Sequence, residues 1–243
     1  MDKRILDKLI QSYHLKGMVE SVIWDTKPGE VTIKFINQTK DCAGEIKLNN
    51  ASVNLGEHEL AFYSTTQLDN LLKVMHSHVE MEVVEEQDIP IKINISDKDF
   101  DLTYHLATKE LIPASPNISE PDEYDMDIVV NEEFIQKFNK AYSALDKPTR
   151  FTVESKFDQI QLAEFVVGES ISYANKIKFQ HESTFFLGSK SLPFSAPVFK
   201  EILTANKDAT EGKIQISQEG LMKLSFKEDN IESIYYLVRL NVD

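Results

Sequence analysis

SLPFSAPVFKEILTANKDATEGKIQISQEGLMKLSFKEDNIESIYYLVRLNV, residues Ser191–Val242, is the stretch against which the rest of the chain is read. A short apolar run, Leu192 to Phe194, leads into Ser195-Ala-Pro, a helix start signal. Ser195 can cap the helix, and Pro197 sits where a missing N–H costs little. The helix is expected to run to about Asp208. Three short alternating or apolar segments follow, Lys213–Ser217, Leu221–Lys227 and Ile234–Val242, broken by Gln218-Glu-Gly220 and Glu228-Asp-Asn230. The unit reads as strand, helix and a three-stranded meander.

Composition bounds the possibilities. A chain of 243 residues, 42% of them hydrophobic, can bury a sizeable core, and two domains of roughly 120 residues are expected. No apolar run approaches the ~18 residues of a membrane-spanning helix. The N-terminal MDKRILDKLIQSY is charged throughout and does not read as a signal peptide, so a cytoplasmic protein is expected. The single cysteine, Cys42, excludes an intramolecular disulfide and a cysteine-based zinc site. The formal charge of −14 argues against nucleic acid unless the basic residues are gathered on one surface.

In chain order, Asp2–Tyr13 reads as a helix, with Ile5, Leu6, Leu9 and Tyr13 on one arc and Arg4 and Lys8 opposite. Strands are expected at Ser21–Thr26, Val31–Ile36 and Glu45–Leu48, the first two separated by the turn Lys27-Pro-Gly29. The run Leu60–Tyr63 then precedes a helix over Thr65–His76, with Leu68, Leu71, Leu72 and Met75 on its face and Lys73 turned away. Strands follow at Glu80–Val84, Ile91–Ile95 and Phe100–Ala107. Leu111–Asp127, LIPASPNISEPDEYDMD, carries three prolines and many acids and reads as a connector. The domains are therefore expected at 1–110 and 128–243, joined by 111–127.

The second half opens on Ile128–Val130. Asn131 caps a helix through Leu145, with Glu132 and Glu133 in the first turn. Phe134, Ile135, Phe138, Ala141, Tyr142 and Leu145 share its inner face, and Lys137 and Lys140 lie opposite. Strands at Phe151–Ser155, Ile160–Val167 and Lys176–His181 lead back to the opening stretch. Four helices, each set among about three strands, thus repeat an architecture with a period near 60 residues nested in one near 120. The four helical segments hold eight Lys/Arg against seven Asp/Glu, while the remainder holds 18 against 33. Such a distribution suits weak, sequence-independent binding of a phosphate backbone by helix faces. It also suits ordinary amphipathic helices with solvated outer sides.

The C-terminal LPFSAPVFKEILTANKDATEGKIQISQEGLMKLSF…IYYLVRL, with Leu60-Ala-Phe-Tyr…Leu68-Asp-Asn-Leu-Leu and the proline-bearing connector, is similar to the DNA polymerase sliding clamps. Among these it most resembles the short clamps of tailed bacteriophages, in pattern over nearly the whole chain. The resemblance implies an α+β clamp fold of two similar domains, each of two strand–helix–strand repeats. Three protomers would then close a ring round duplex DNA, with antiparallel sheets outside and helices lining the hole. It implies that Arg4, Lys8, Lys73, Lys137, Lys140, Lys200 and Lys207 face phosphates, with Lys147 and Arg150 near a helix end. It places subunit edges at Phe100, Leu102, Tyr104 and Leu106 in the first half, and at Lys176, Ile177, Lys178 and Phe179 in the second. Asp99, Asp101 and Glu110 would complement Lys176 and Lys178 across that joint. A client peptide would dock beneath the connector at Ile112, Pro113, Leu221, Tyr236 and Leu237. The implied partners are a DNA polymerase and a clamp loader.

Catalysis is not expected. The pair His76-Ser-His78 does not set both rings on one helical face for a metal. Val167-Gly-Glu-Ser170 lacks the second glycine of a nucleophile elbow, and no phosphate-binding glycine loop is present. The reading is a non-enzymatic clamp without metal or cofactor. A structural or adaptor protein of a phage particle, built from the same repeats, is the alternative.

Overall fold

The structure is a computed structural model that describes residues 1–50, 52–158, 160–169, 171, 173–184, 187–188 and 190–241. Val242 and Ser170, which the sequence reading touches, lie outside the described residues. The chain divides into two compact units. The first takes Met1–Gln38, Ala43–Pro116 and Asp229–Ser233; the second takes Thr39–Cys42, Asn117–Glu228 and the residues from Ile234 onward. Segment 111–127 is thus shared out: its start closes a 3-10 turn, Lys109–Leu111, in the first unit, and the part from Asn117 falls in the second.

The first unit runs α1 (Lys3–His14), β1 (Val22–Lys27), β2 (Glu30–Ile36), β3 (Cys42–Asn49), β4 (His58–Phe62), α2 (Thr65–Leu72), β5 (Glu80–Glu86), β6 (Ile89–Ser96) and β7 (Asp101–His105). Its strands lie in the orders β4-β1-β2-β3 and β5-β6-β7. After it come β8 (Met126–Val129), α3 (Glu132–Ser143), β9 (Arg150–Asp158), β10 (Ile160–Val167), β11 (Ile177–Glu182), β12 (Ser191–Ser195), α4 (Ala196–Ala205), β13 (Glu211–Ile216), β14 (Leu221–Glu228) and β15 (Ile231–Val238). These strands lie in the orders β11-β10-β9-β12 and β15-β14-β13-β8. Helix, three strands, strand, helix, three strands is the order in both halves. The second half is prefaced by β8; the first has at that place only a bridge from Asp2 to His78.

Local chemistry sets the helix ends. Asp2 caps α1 by accepting from the Arg4 N–H, Ser64 caps α2 through Gln67, and Asn131 caps α3 through Phe134. Ser195 stands at the N-cap of α4 but makes no side-chain cap bond; the Ala196 N–H is taken instead by the Thr149 carbonyl at 3.2 Å. Three helices are shorter than the sequence predicts. α2 stops at Leu72 because the chain tightens into i→i+3 turns at Val74 and Met75, and Asp97 takes the His76 N–H at 2.5 Å. α3 stops at Ser143, before Lys147 turns to a φ of 48° ahead of Pro148. α4 stops at Ala205, where the Asn206 amide donates to the Ile202 carbonyl and to the Tyr235 hydroxyl, both at 2.9 Å. β15 starts three residues earlier than expected, because Asp229, at φ 48°, makes the preceding turn tight.

Each unit has its own aromatic core. In the first, Trp24 is 1% exposed and packs tilted on Phe62 at 4.5 Å and edge-on to Tyr13 at 6.5 Å. In the second, Phe199 lies 4.6 Å from both Phe138 and Phe151, and Phe165 stacks on Phe179 at 5.1 Å with 7° between the planes. Full burial of such rings stabilises by about 1.5–3 kcal/mol each, and their T-shaped and offset contacts add specificity.

Candidate nucleic-acid interface and edge strands

Eight of the nine basic residues expected to meet phosphate fall into two chemical groups. Five are paired within their own unit. Arg4 is bonded to Asp2 at 2.6 Å, Lys73 to Asp69 at 2.8 Å and Lys137 to Glu133 at 2.7 Å. Lys200 meets Glu201 at 2.6 Å, and Arg150 meets Glu169 at 3.5 Å. These are mostly exposed or half-exposed pairs, worth ~0–1 kcal/mol, so a phosphate can displace the carboxylate at little cost. Lys140, Lys147 and Lys207, by contrast, are exposed and make no ion pair among the described residues. Lys8 is half-buried on the outer side of α1, four residues from the exposed Arg4.

The shortened helices move two of these residues off helices, and Lys147 stays, as expected, beyond a helix end. Lys73 is the C-cap residue of α2 rather than part of it, and Lys207 follows the C-cap of α4. Lys147 lies in the turn after α3. Lys137 and Lys140 remain on α3, Lys137 half-buried at the margin of the face that buries Phe134, Phe138 and Ala141, and Lys140 exposed. The two second-unit helices pack side by side, and Lys200 on α4 holds its ammonium 5.9 Å from the Tyr142 ring of α3. That contact ties a basic group of one helix to a half-buried ring of the other. In the first unit α1 packs beside α2, and Lys73 is held by Asp69 and by the Asn70 side-chain oxygen at 2.8 Å.

The two strands expected as subunit edges are outermost in their sheets: β7 closes β5-β6-β7, and β11 closes β11-β10-β9-β12. Outermost strands leave a row of backbone donors and acceptors open to another chain. Phe100, just before β7, is 46% exposed, Leu102 and Leu106 are half-buried, and Tyr104 is turned inward at 5% exposure. The Tyr104 hydroxyl donates to the Ser64 carbonyl at 3.0 Å, which fixes it to its own unit. On β11, Lys178 is exposed and paired with Glu164 at 3.2 Å, Lys176 just before the strand is exposed, and Ile177 and Phe179 are half-buried. Asp99 is not idle either: it pairs with His76 at 2.7 Å.

Beside β11 the sheet edges diverge. β8 meets the chain two residues beyond β11, Asp127 pairing with Thr184 through two backbone hydrogen bonds, 3.0 and 2.9 Å. The gap is a cavity of about 730 Å³ lined by Val129, Glu133, Lys137, His181 and Lys213. The His181 Nε2–H reaches across it to the Val129 carbonyl at 3.0 Å.

The residues expected at the client peptide do not all reach a surface. Leu237 is completely buried in β15, so it supports the sheet from beneath. Leu221 and Tyr236 are half-buried on β14 and β15 of the second unit; Ile112 is 8% exposed, and it and the exposed Pro113 belong to the first. Sequence reasoning missed Glu120, which receives the Tyr236 hydroxyl at 2.5 Å and the Lys223 ammonium at 2.7 Å. Its signal was only one more acid in an acidic connector. It also missed Asn206, whose side-chain amide donates back to the Ile202 carbonyl four residues earlier, a role hidden in an ordinary helix end.

Three of the histidines fall at these features: His76 on Asp99, His181 on Val129, and His78 opposite Asp2. Among the described residues no group of three or more His, Cys, Asp or Glu is arranged to hold a metal. No helix is long and apolar enough to cross a membrane. Cys42 is buried, and burial pushes its thiol pKa up, away from reactivity.

No protein-family model matches the sequence, and no curated protein matches it. Solved structures do match. The chain is similar to A. fulgidus PCNA, solved with the C-terminal region of FEN-1 bound, at a TM-score of 0.78 and 13% identity, over 100% of this chain and 98% of that one. It is similar to the proliferating cellular nuclear antigen of Entamoeba histolytica at a TM-score of 0.74 and 12% identity, over 99% and 97%. It is also similar to a chain of the PCNA2–PCNA3 complex of Sulfolobus tokodaii at 0.71 and 11%, over 98% and 97%. From end to end, the chain has the α+β fold of the PCNA sliding clamps, built of antiparallel sheets and a few helices.

Proposed function

We propose that the protein is a sliding clamp: a non-enzymatic ring of three copies that encircles duplex DNA and holds a polymerase on it through a client peptide. The observation that carries this reading is the likeness to PCNA structures over the whole length of both chains. Such agreement at 11–13% identity reflects a shared arrangement of elements rather than shared residues.

The chemistry of the two units supports each part of the proposal. A ring needs a donor edge and an acceptor edge on every copy, and β7 and β11 are both outermost strands. Pairing β7 of one copy with β11 of the next uses backbone groups; Asp101 and Glu110 near one edge and Lys176 near the other add a charge preference. The gap between β8 and β11 gives the incoming strand room for its side chains. Lys137, Lys140, Lys200 and Lys207 of the second unit, with Arg4, Lys8 and Lys73 of the first, supply phosphate contacts that carry no base information. A net charge of −14 is compatible with this, since the acids are concentrated outside the helices. The bound FEN-1 segment in the A. fulgidus structure supports a peptide-docking role. A loader that opens the ring belongs to the same proposal, as does a bacteriophage origin, which rests on the sequence resemblance alone.

Native mass spectrometry tests the assembly. A species of three times the 27.8 kDa chain mass is expected. A species that stays monomeric at micromolar concentration contradicts the ring.

A further inference from the structure

The connector is fastened to the second unit at two points. Near its end, Asp125 accepts from the Gln218 backbone N–H at 2.8 Å and the Gln218 side-chain amide at 2.9 Å, and donates its own N–H to the Ile216 carbonyl at 3.0 Å. Five residues earlier, the Glu120 carboxylate receives the Tyr236 hydroxyl at 2.5 Å, the Lys223 ammonium at 2.7 and 2.9 Å, and the Tyr124 hydroxyl at 3.2 Å. Lys223 is only 18% exposed, and its ammonium also sits 5.8 Å from the Tyr236 ring centroid. Between these anchors the backbone has no regular structure that would hold it in place by itself.

The position of this cluster matters more than its size. Side chains two apart on a strand share a face. Lys223 on β14 therefore lies on the face of Leu221, and Tyr236 on β15 on that of Ile234, while Leu224, Tyr235 and Leu237 point into the core. Leu221 and Tyr236 are the second-unit residues assigned above to the client peptide. Glu120 thus lies on the same face that the peptide is to use. Burial works against its charge, but the donors from Lys223, Tyr236 and Tyr124 outweigh burial and hold the carboxyl below the usual carboxylate range. The carboxylate is therefore ionised, and paired with Lys223, throughout the neutral range.

We propose that Glu120 is an intramolecular latch that pins the connector across the outward face of β14 and β15, so that a client peptide binds only by releasing it. This rests on the reading of that face as the client site. Charge-assisted hydrogen bonds to a mostly covered lysine are strong enough to hold a segment that has no strand or helix of its own. Breaking them takes the carboxylate from the mostly covered Lys223 ammonium, a cost the incoming peptide has to offset.

Hydrogen exchange on the full chain, read over residues 117–125, tests the latch directly. Glu120→Gln removes the charge with little change of shape and is expected to speed exchange there about tenfold or more, leaving α3 unchanged. Glu120→Asp should restore part of the protection, and Tyr236→Phe should lose part of it. Unchanged exchange in Glu120→Gln overturns the latch. Faster exchange in α3 as well overturns it too, by showing a general loss of structure. The second measurement is anisotropy with a labelled peptide of the A. fulgidus FEN-1 C-terminal region. Several-fold tighter binding to Glu120→Gln than to the parent chain supports the competition, and equal or weaker binding overturns it. No binding to either chain overturns the competition together with the client-site reading, while the exchange result still decides whether Glu120 pins the connector.

Discussion

In the second unit, rings from both helices and four strands meet: Phe134 and Phe138 on α3, Phe199 on α4, and Phe151, Phe165, Phe179 and Phe194 on the sheet. In the first unit the corresponding layer is centred on Trp24, with Tyr13 from α1, Phe62 from β4 and Tyr104 from β7, two of them carrying hydroxyls bonded to the start of α2. The helix surfaces differ in parallel. Lys140, Lys147 and Lys207 of the second unit are exposed without an ion pair among the described residues, whereas Arg4 and Lys73 of the first are already matched to Asp2 and Asp69. One order of elements therefore holds two divisions of labour. The second unit has the all-phenylalanine layer and, beside Lys137, Lys200 and Arg150, which are paired as in the first, three exposed cations outside any ion pair among the described residues; the first fixes the start of α2 with hydroxyls from its aromatic layer.

Removing a ring from the phenylalanine layer should break this comparison most severely. Phe199→Ala deletes a fully buried ring that touches three neighbours and should cost about 3–5 kcal/mol in denaturant unfolding. A cost under about 1 kcal/mol would mean that the cluster does not organise the second unit.

Charge reversal sharpens the surface half of the comparison. Lys137→Glu with Lys140→Glu should weaken retention on DNA about tenfold or more at moderate salt and flatten its salt dependence, with the proposed three-copy assembly intact. Lys73→Glu, which reverses one cation already offset by Asp69 and none placed like the exposed Lys140, should weaken it several-fold less. Equal losses from the two variants would show that the units share the phosphate contacts evenly.

A smaller effect separates the units by pH. Glu20 accepts from the Thr66 N–H at 3.0 Å and the Thr66 hydroxyl at 2.5 Å and faces His14 at 3.4 Å, joining the end of α1 to the start of α2. Burial raises its pKa, but these partners lower it more, so the carboxyl lies below its usual range. A depressed folded-state pKa stabilises the fold above the unfolded value, near 4.3, and the gain is lost as pH falls through the folded value. Glu20→Gln should therefore cost about 1–2 kcal/mol at pH 7, and the gap from the parent chain should close in acid below that range. A gap that persists unchanged in acid would assign the loss to packing instead.

The helices were legible because each inner face carries large apolar residues at helical spacing, and all four are present, α1 within one residue at each end. The C-termini of α2 and α4 were not, because those stops depend on distant partners: Asp97 for the end of α2, and Tyr235 for Asn206 at the end of α4. Strands with clear alternation, such as Leu221–Glu228, were read nearly to the residue. β15 was placed late because Ile231 is divided from the rest of the strand by polar Glu232 and Ser233, and Ser233 is buried at 2% exposure. At the candidate site, the sequence placed lysines on the outer sides of helices, but not their carboxylate partners, which depend on rotamers and on neighbouring elements. It ranked Leu237 with Tyr236 as surface, although adjacent strand residues face opposite ways. Glu120 was lost among the acids of the connector because its partners lie more than 100 residues away.

Topology-dependent retention tests the central claim most directly. The protein is placed on a closed circular duplex by a clamp loader, or by brief exposure to conditions that open the proposed assembly, and the circle is then cut once with a restriction enzyme. The account predicts that the protein stays on the closed circle after free protein is removed and is lost promptly on linearisation. Equal retention on circular and linear DNA, or equal loss from both, contradicts a ring of these chains around the duplex.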